Sequence, residues 1–135
     1  LGAFFKGYAS DCTRTFEVSP NKKQRKIVEV VKRAQRAAIS KIGDGILVKE
    51  VCAAAEKVIK KAGFLKYSPH GLGHGVGLEI HEPPSLYPGS KEILRNKMVT
   101  TVEPGVYIPK VGGARWEDMI LVKKKPENLT LKYLS

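Results

Sequence analysis

The sequence predicts an α+β fold in which helices cover an antiparallel sheet. Three observations lead to this prediction: a strand pair with a glycine turn opens the chain, two stretches of helical periodicity follow, and strand-like segments broken by glycine and proline complete it. Strands and helices that occupy separate parts of a chain are typical of the α+β class. The 135 residues, 42% of them hydrophobic, suffice for the core of one globular domain.

The first predicted element is a β-hairpin over residues 1–18. Aromatic and β-branched residues in LGAFF and YASDCTRTFEV favour strands, and Lys6-Gly7 between them provides a tight turn. Ser19 and Pro20 come next. This pair predicts the start of a helix, with the serine as N-cap and the proline at the first helical position.

Two helices are predicted after the hairpin. Gly43 ends the first, and the second begins near Val48 and has Gly63 as the residue after its C-cap. Apolar residues recur at helical spacing and would form the buried faces of the two helices: Ile27, Val31, Ala34, Ala38, Ile42, Val51, Ala55, Val58 and Ala62.

Three strand-like segments follow the helices. GVGLEIHE alternates glycine or polar residues with apolar ones, and MVTTVEPGVYI is rich in β-branched residues and stops at Pro109. GGARWEDMILV is predicted to be a final strand entered through a Gly-Gly turn. These segments would form the antiparallel sheet.

The charge and the cysteines bear on partners and location. The net charge of +11 includes many basic residues in 21–36, but no aromatic residues alternate with them, which favours a solvated helix face over a nucleic-acid-binding patch. No run of eighteen apolar residues and no secretory signal is visible, so we expect a cytoplasmic protein without a membrane partner. Cys12 and Cys52 match no metal or redox spacing and are expected to be free thiols.

Four residues in strand-like segments form a candidate metal site: Asp11, His74, Glu103 and Glu117. A carboxylate in a strand costs free energy unless it faces water or is neutralised. Three carboxylates and one imidazole form the mixed oxygen and nitrogen set that suits manganese, cobalt, iron or zinc with positions open for water. The sequence therefore predicts that these side chains converge on a divalent cation.

The segment GHGVGLEIHE surrounds one of these ligands with small residues. Gly73, Gly75 and Gly77 lack a Cβ and would let another backbone or a substrate approach His74. His81 follows at an odd interval, so a bend or bulge near Gly75 is needed to bring both imidazoles to one face. Neither the dinucleotide-binding pattern G-x-G-x-x-G nor the zinc-binding pattern H-E-x-x-H is present in this segment.

Four segments, YASDCTRTF, HGLGHGVGLEIHE, TVEPGVYIP and GGARWED, resemble the successive signatures of the pita-bread metallopeptidases. That family includes methionine aminopeptidases, Xaa-Pro aminopeptidases and prolidases, and HGLGHGVGLEIHEPP with the GGARWED ending is most similar to the Xaa-Pro branch. The resemblance implies a partial pita-bread fold with a curved antiparallel sheet. It also implies that residues 1–135 are the carboxyl-terminal portion of the catalytic domain, without the amino-terminal domain and the first part of the catalytic domain.

The same resemblance assigns metal ligands. Asp11 and Glu117 would bridge two divalent ions, and His74 and Glu103 would complete the coordination of the first ion. A further aspartate of the family pattern, a ligand of the second ion, would fall immediately before Leu1 and has no counterpart in the chain. One of the two sites is therefore expected to be incomplete.

Roles in catalysis are implied for further residues. Glu103 would act as the general acid and base, and His81 and His70 would lie near the substrate carbonyl. Arg115 corresponds to the arginine of the family's G-G-x-R-x-E-D signature, close to the metal ligands. Thr13 is expected to place a hydroxyl next to one of the carboxylate ligands.

The implied activity is that of a dinuclear exopeptidase that hydrolyses Xaa-Pro dipeptides or short peptides through a hydroxide shared by the two metals. The resemblance also implies a homodimer for the full-length protein and weak or absent activity for this chain alone. Two alternatives stay open, a methionine aminopeptidase and a non-catalytic pita-bread module that binds peptides or partners. Nucleic-acid binding is a third, less favoured interpretation of the charge.

Overall fold

Strands and helices occupy separate parts of the chain, which confirms the α+β prediction. The computed structural model describes residues 1–134. Its elements in chain order are β1 (Gly2–Phe5), β2 (Tyr8–Asp11), α1 (Lys22–Ile39), α2 (Val48–Lys61), a 3₁₀ turn (Leu65–Tyr67), β3 (Gly73–Gly75), β4 (Glu82–Leu86), β5 (Val99–Val102), β6 (Gly105–Ile108), β7 (Gly112–Arg115), β8 (Asp118–Leu121), β9 (Glu127–Asn128) and α3 (Leu129–Leu134).

The amino-terminal hairpin is present but shorter than predicted. Strands β1 and β2 pair in an antiparallel register, and Lys6 and Gly7 form the turn with φ of 51° and 85°. The regular ladder stops at Asp11, and beyond it only an isolated bridge joins Thr13 to Glu117. The remainder of residues 12–18 forms no ladder.

The predicted N-cap of the first helix is wrong by two residues. Asn21, not Ser19, caps α1: its side chain accepts hydrogen bonds from the backbone N–H groups of Lys23 and Gln24. The side chain of Gln24 in turn accepts from the Asn21 N–H, which completes a capping box. This reciprocal pair satisfies two free donors of the first turn, and Pro20 lies outside the helix.

The two long helices pack against each other and bury one face each. Helix α1 ends at Ile39 with Ser40 as C-cap, so Gly43 does not terminate it and Ile42 is buried outside the helix. Helix α2 matches its prediction, and Gly63 after it has φ of 79°. Among the helices in the described residues, not one combines the length and the hydropathy that crossing a bilayer requires.

The main sheet has five antiparallel strands in the order β4-β3-β5-β8-β9, and β6 and β7 form a separate pair. Two segments predicted as single strands are therefore each divided. MVTTVEPGVYI breaks at Glu103-Pro104 into β5 and β6, and GGARWEDMILV breaks at Trp116-Glu117 into β7 and β8. The two breaks lie side by side because β5 pairs with β8 and β6 pairs with β7. Both chain segments thus leave one ladder and join another next to a predicted metal ligand.

The segment GVGLEIHE is mostly not a strand. Of its eight residues only Gly75, the last of β3 (Gly73–Gly75), and Glu82, the first of β4, lie in strands. The register of β3 against β4 shifts between His74 and Gly75. The backbone of residues 76–81 forms no ladder, and β4 begins at Glu82. The structure therefore contains the irregularity that the spacing of His74 and His81 required.

Candidate metal centre

The side chains of Asp11, His74, Glu103 and Glu117 face a common region from four separate chain segments. Asp11 ends β2 and His74 lies in β3, at the register shift. Glu103 directly follows β5, and Glu117 directly precedes β8. Each residue thus lies where a ladder ends or changes register, so its side chain is not fixed by regular strand alternation alone.

His74 is at the centre of the cluster. Its Nε2 lies 3.2 Å from Oε1 of Glu103 and 3.8 Å from Oδ2 of Asp11. Ligand atoms of His74, Glu103 and Glu117 all lie within 4.8 Å of one another, and so do ligand atoms of Asp11, His74 and His81. The five side chains therefore form two overlapping groups that share His74.

Hydrogen bonds orient the His74 ring. Its Nδ1 is 3.0 Å from the carbonyl oxygen of Gly75, which only accepts, so Nδ1 carries the proton of the neutral ring and Nε2 presents a lone pair. Burial disfavours the imidazolium, but the hydrogen bonds to Glu103 and Gly75 and the charges of Glu103 and Asp11 together raise the pKa of His74. Proton and metal would compete for the same nitrogen.

The two glutamates have opposite pKa shifts. Burial acts to raise the pKa of Glu103, but the hydrogen bond and charge of His74, the hydroxyl of Thr101 and the charge of Arg115 lower it overall. The pKa of Glu117 is raised, first by burial and then by the charges of Glu103 and Asp11, against the hydrogen bond from Thr13. Glu117 is 2% exposed. A nearly buried carboxylate beside two others fits a divalent cation, because a cation would neutralise the repulsion among them.

Thr13 and Arg115 contact the carboxylates directly. The Thr13 hydroxyl donates a hydrogen bond to Oε2 of Glu117, and the Glu117 N–H donates to the Thr13 carbonyl at 3.0 Å. The Arg115 Nε lies 3.4 Å from Oγ1 of Thr13 and 3.9 Å from Oε2 of Glu103. Thr13 therefore lies against Glu117, and Arg115 lies between Thr13 and Glu103.

The other two histidines have different positions. The His81 ring is exposed, with its centroid 4.2 Å from that of His74. His70 belongs to neither ligand group: its Nδ1 donates to the Gly71 carbonyl at 2.7 Å, and its Nε2 is 3.2 Å from the hydroxyl of Tyr107. The structure therefore brings His81, but not His70, to the cluster.

Close backbone approach explains two of the three glycines near His74. A Cβ on Gly73 would lie within 3.0 Å of the carbonyl oxygen of Thr101, and one on Gly75 would meet the carbonyl of Pro83 equally closely. At Gly77 the close neighbour is the carboxylate of Glu82. Two glycines thus admit the backbone of neighbouring strands, as the sequence suggested.

Thr101 and Tyr107, which were not among the predicted site residues, contact two of the histidines. The Thr101 hydroxyl accepts from the His74 N–H at 3.0 Å and donates to Oε1 of Glu103 at 3.1 Å. Both residues belong to the quoted segment TVEPGVYIP, but neither a threonine nor a tyrosine is unusual in a strand, so their contacts with the histidines could not be read from the sequence.

Residues 1–124 match the model of metallopeptidase family M24. The chain is 49% identical over 125 residues to an Xaa-Pro dipeptidase of Pyrococcus horikoshii, which covers 92% of this chain and 36% of that protein. The chain thus spans just over a third of the length of the curated relative.

Solved structures show the same likeness. The prolidase from Pyrococcus horikoshii OT3 superposes with a TM-score of 0.93 at 47% identity, over 96% of this chain and 38% of its own. The X-Pro aminopeptidase from Thermotoga maritima superposes with a TM-score of 0.91 at 32% identity, over 96% of this chain and 37% of its own. These likenesses confirm the partial pita-bread fold expected from the sequence.

Proposed function

This chain belongs to metallopeptidase family M24, and we propose that it carries most of the metal site of an exopeptidase that hydrolyses Xaa-Pro peptide bonds. One observation carries the proposal: three carboxylates and the Nε2 of His74 approach a common region. Relatives named Xaa-Pro dipeptidase and prolidase support the substrate class, a proline-containing dipeptide or short peptide. Because the chain spans 36% of such a relative, the activity is proposed for a longer protein.

The donor set supports divalent manganese, cobalt, zinc or iron as cofactor, held by Asp11, His74, Glu103 and Glu117. A pair of ions would use Asp11 and Glu117 as shared ligands. We propose that this chain alone holds one ion more tightly than two. Both ligand groups depend on the single free nitrogen of His74, which binds one ion at a time.

The chemistry divides between the cofactor and the side chains. Divalent ions, when bound, supply Lewis-acid catalysis: they lower the pKa of water towards neutrality and polarise a carbonyl. Glu103 would accept the proton of the attacking water and return it to the leaving amine. His81, exposed beside His74, would donate a hydrogen bond to the substrate carbonyl oxygen. His70, oriented by Gly71 and Tyr107, would contact the substrate farther from the ligands.

Thr13 and Arg115 would keep the carboxylates in position. Thr13 donates to Glu117 and is itself approached by the Arg115 guanidinium. Partners of this kind fix the direction of a ligand's lone pairs. A leaving proline has no N–H, so we expect pocket shape, and not a hydrogen bond to that nitrogen, to select it.

Calorimetric titration of the chain with Mn²⁺ tests the metal site. We expect one tight equivalent, and Glu103→Gln should weaken it by at least about ten-fold, since it removes a charged ligand. Glu29→Gln is the matched control, because it makes the same change on the exposed face of α1. Two tight equivalents, no binding, or equal effects of the two variants would contradict the proposal.

Peptide hydrolysis tests the activity. Gly-Pro, Leu-Pro and Met-Ala are assayed with Mn²⁺ or Co²⁺ added, for this chain and for one extended upstream to the length of the relatives. The extended chain should hydrolyse the two Xaa-Pro peptides, and this chain should show weak or no activity. Preference for Met-Ala would favour a methionine aminopeptidase. Binding of all three without hydrolysis would favour a non-catalytic module.

We also propose that the full-length protein is a cytoplasmic homodimer that acts on peptides, with neither nucleic acid nor membrane as partner. The basic residues of α1 support only the part of this proposal that concerns nucleic acid, because they are exposed and spread along a solvated face: Lys22, Lys23, Arg25, Lys26 and Arg33. Analytical ultracentrifugation of the full-length protein tests the dimer. Nucleic-acid binding with a steep salt dependence would contradict the proposed partner class.

A further inference from the structure

A buried charged network lies on the helix side of the sheet, directly behind the candidate ligands. Asp118 is 1% exposed, and its carboxylate accepts hydrogen bonds from Arg14 at 2.5 Å, Gln35 at 3.0 Å and Asn128 at 2.9 Å. Three donors thus surround one carboxylate. A buried ion pair of this kind contributes little net stability compared with apolar packing, so its presence calls for another explanation.

The Arg14 guanidinium links this network to Thr13 and Glu117, which lie on the opposite side of the sheet, called here the metal side, with the candidate ligands. Its Nη2 donates to Asp118, while its Nη1 donates to the carbonyl of Glu117 at 2.6 Å and to that of Thr13 at 3.0 Å. These two carbonyls belong to the isolated bridge in which Thr13 donates its hydroxyl to the Glu117 carboxylate. One planar group therefore contacts both backbones of the bridge, which a lysine ammonium on a flexible stem does not reproduce.

Further contacts hold the guanidinium and the strand ends. The carbon at the centre of the Arg14 guanidinium lies 4.7 Å from the centroid of the Trp116 ring. Gln35 donates to Asp118 and also to the carbonyl of Val102 at 3.2 Å. Val102 and Asp118 are paired at the end of the β5–β8 ladder, beyond which the two strands separate. The network thus fixes the last pair before Glu103 and Glu117.

We propose that Arg14 and Asp118 form a positioning pair that holds the Thr13–Glu117 bridge, and through it directs the Glu117 carboxylate into the metal site. Neither side chain is among the proposed ligands. The pair acts through the backbone of Glu117 and the hydroxyl of Thr13. The inference rests on the proposed function in so far as Glu117 is a metal ligand, whereas the holding of the bridge is independent of any metal.

Arg14→Lys is the decisive variant, because it keeps the positive charge beside Asp118 but loses the planar group that contacts both carbonyls. The Glu117 amide donates to Thr13 in the bridge, so its hydrogen exchange reports the bridge in the metal-free chain. We expect exchange at Glu117 to accelerate about ten-fold or more in Arg14→Lys, since two charge-assisted hydrogen bonds are lost. Asp118→Asn should accelerate it in the same direction.

Ile120→Val is the matched control, because Ile120 lies on β8, is fully buried in the apolar core and is not a residue of the bridge. It should accelerate exchange along β8 without a specific effect at Glu117. Mn²⁺ titration adds a second readout: Arg14→Lys should weaken binding roughly 10–100-fold, and Ile120→Val should leave it unchanged.

The outcomes separate the two proposals. If the Glu117 amide of Arg14→Lys exchanges at the parental rate, the positioning role is overturned. The same holds if Arg14→Lys accelerates exchange along β8 as evenly as Ile120→Val does, without a specific effect at Glu117. Parental Mn²⁺ affinity in Arg14→Lys would overturn it as well. Failure of the parental chain to bind Mn²⁺ would instead refute the proposed function, and amide exchange alone would then decide whether Arg14 and Asp118 hold the bridge.

Discussion

Strand β5 carries two adjacent threonines, and the two faces of the sheet give them opposite surroundings. Both residues are 0% exposed. Thr100 shares the helix face with Val102, and its hydroxyl meets no hydrogen-bond partner within the described part of the chain. Thr101 points to the metal side, where its hydroxyl accepts from the backbone of His74 and donates to Glu103. The two threonines are therefore equally buried, but only the hydroxyl of Thr101 takes part in hydrogen bonds.

Two adjacent carboxylates repeat the contrast one strand away. Glu117 and Asp118 are 2% and 1% exposed, yet Asp118 receives hydrogen bonds from three side chains on the helix face. Glu117 receives one, from Thr13, and the charges of Glu103 and Asp11 act against its ionisation. The protein itself satisfies one buried carboxylate and leaves the other to be neutralised from outside. This difference, more than burial, supports the proposal that a cation binds on the face of Glu117.

The largest expected effect comes from a cavity on the helix face. Ile27 of α1 is 1% exposed in the core, so Ile27→Ala should lower the free energy of unfolding by about 2–4 kcal/mol. Because Ile27 belongs to the buried core face of α1 and is not a proposed ligand, Mn²⁺ affinity should stay at the parental value. Urea denaturation and calorimetry measure the two quantities. A large loss of Mn²⁺ affinity in the folded variant would show that the faces are not independent.

Gly73→Ala should affect both faces at once. The new Cβ would collide with the carbonyl of Thr101, so β3 and β5 must separate, at a cost of about 1–3 kcal/mol in stability. The shift would also displace the Thr101 hydroxyl from Glu103 and weaken Mn²⁺ binding.

Gly43→Ala is the control for this substitution, because a Cβ at Gly43 would have its nearest neighbour, Ile46, at an ordinary 3.5 Å. Its unfolding free energy should change by no more than about 0.5 kcal/mol. If the two variants lose similar amounts of unfolding free energy, the close contact between Gly73 and the Thr101 carbonyl does not explain the need for glycine at this position.

Sequence predicted the buried helix faces, and which carboxylates and histidine lie close together, better than it predicted the backbone that connects them. Apolar periodicity predicted the extent of α2 and most of its buried face, because apolar residues at helical spacing lie on one side of the helix. The breaks at Glu103 and Glu117 were missed, although Pro104-Gly105 is a turn signal at the first break, because strand pairing depends on distant residues and the second break has no such signal. The network of Arg14, Gln35 and Asp118 was also missed. Its members are far apart in sequence, and no local pattern reveals that they meet.

The pH dependence of stability probes the helix layer through Cys52. Burial and the charge of Glu56, against a backbone hydrogen bond, raise the pKa of this thiol from 9.0 to about 12. The folded chain therefore keeps the proton that the unfolded chain loses. The contribution of the protonated Cys52 thiol to the free energy of unfolding is fully present below pH 9. It is lost as the pH rises from 9 to about 12, by up to about 1.4 kcal/mol per pH unit.

The slope of the unfolding free energy against pH should therefore be shallower in Cys52→Ala than in the parental chain. Cys12→Ala provides the comparison, because this thiol is only partly buried and the charge of Arg14 counters the effect of burial on its pKa. Its slope should stay closer to the parental one. Urea denaturation at a series of pH values gives all three slopes, and a parental slope in Cys52→Ala would show that the buried thiol does not contribute.

The threonine pair gives the smallest effect and the sharpest contrast, because the same substitution should change sign between neighbouring residues. Thr100→Val keeps the shape and removes an unpaired buried hydroxyl, so stability should rise by up to about 1 kcal/mol. Thr101→Val leaves the His74 N–H without its acceptor and Glu103 without a donor, so stability should fall by about 1–2 kcal/mol and Mn²⁺ affinity should fall with it. Urea denaturation compares both variants with the parental chain. Changes of the same sign would mean that the two faces do not differ in the way that their hydrogen bonds indicate.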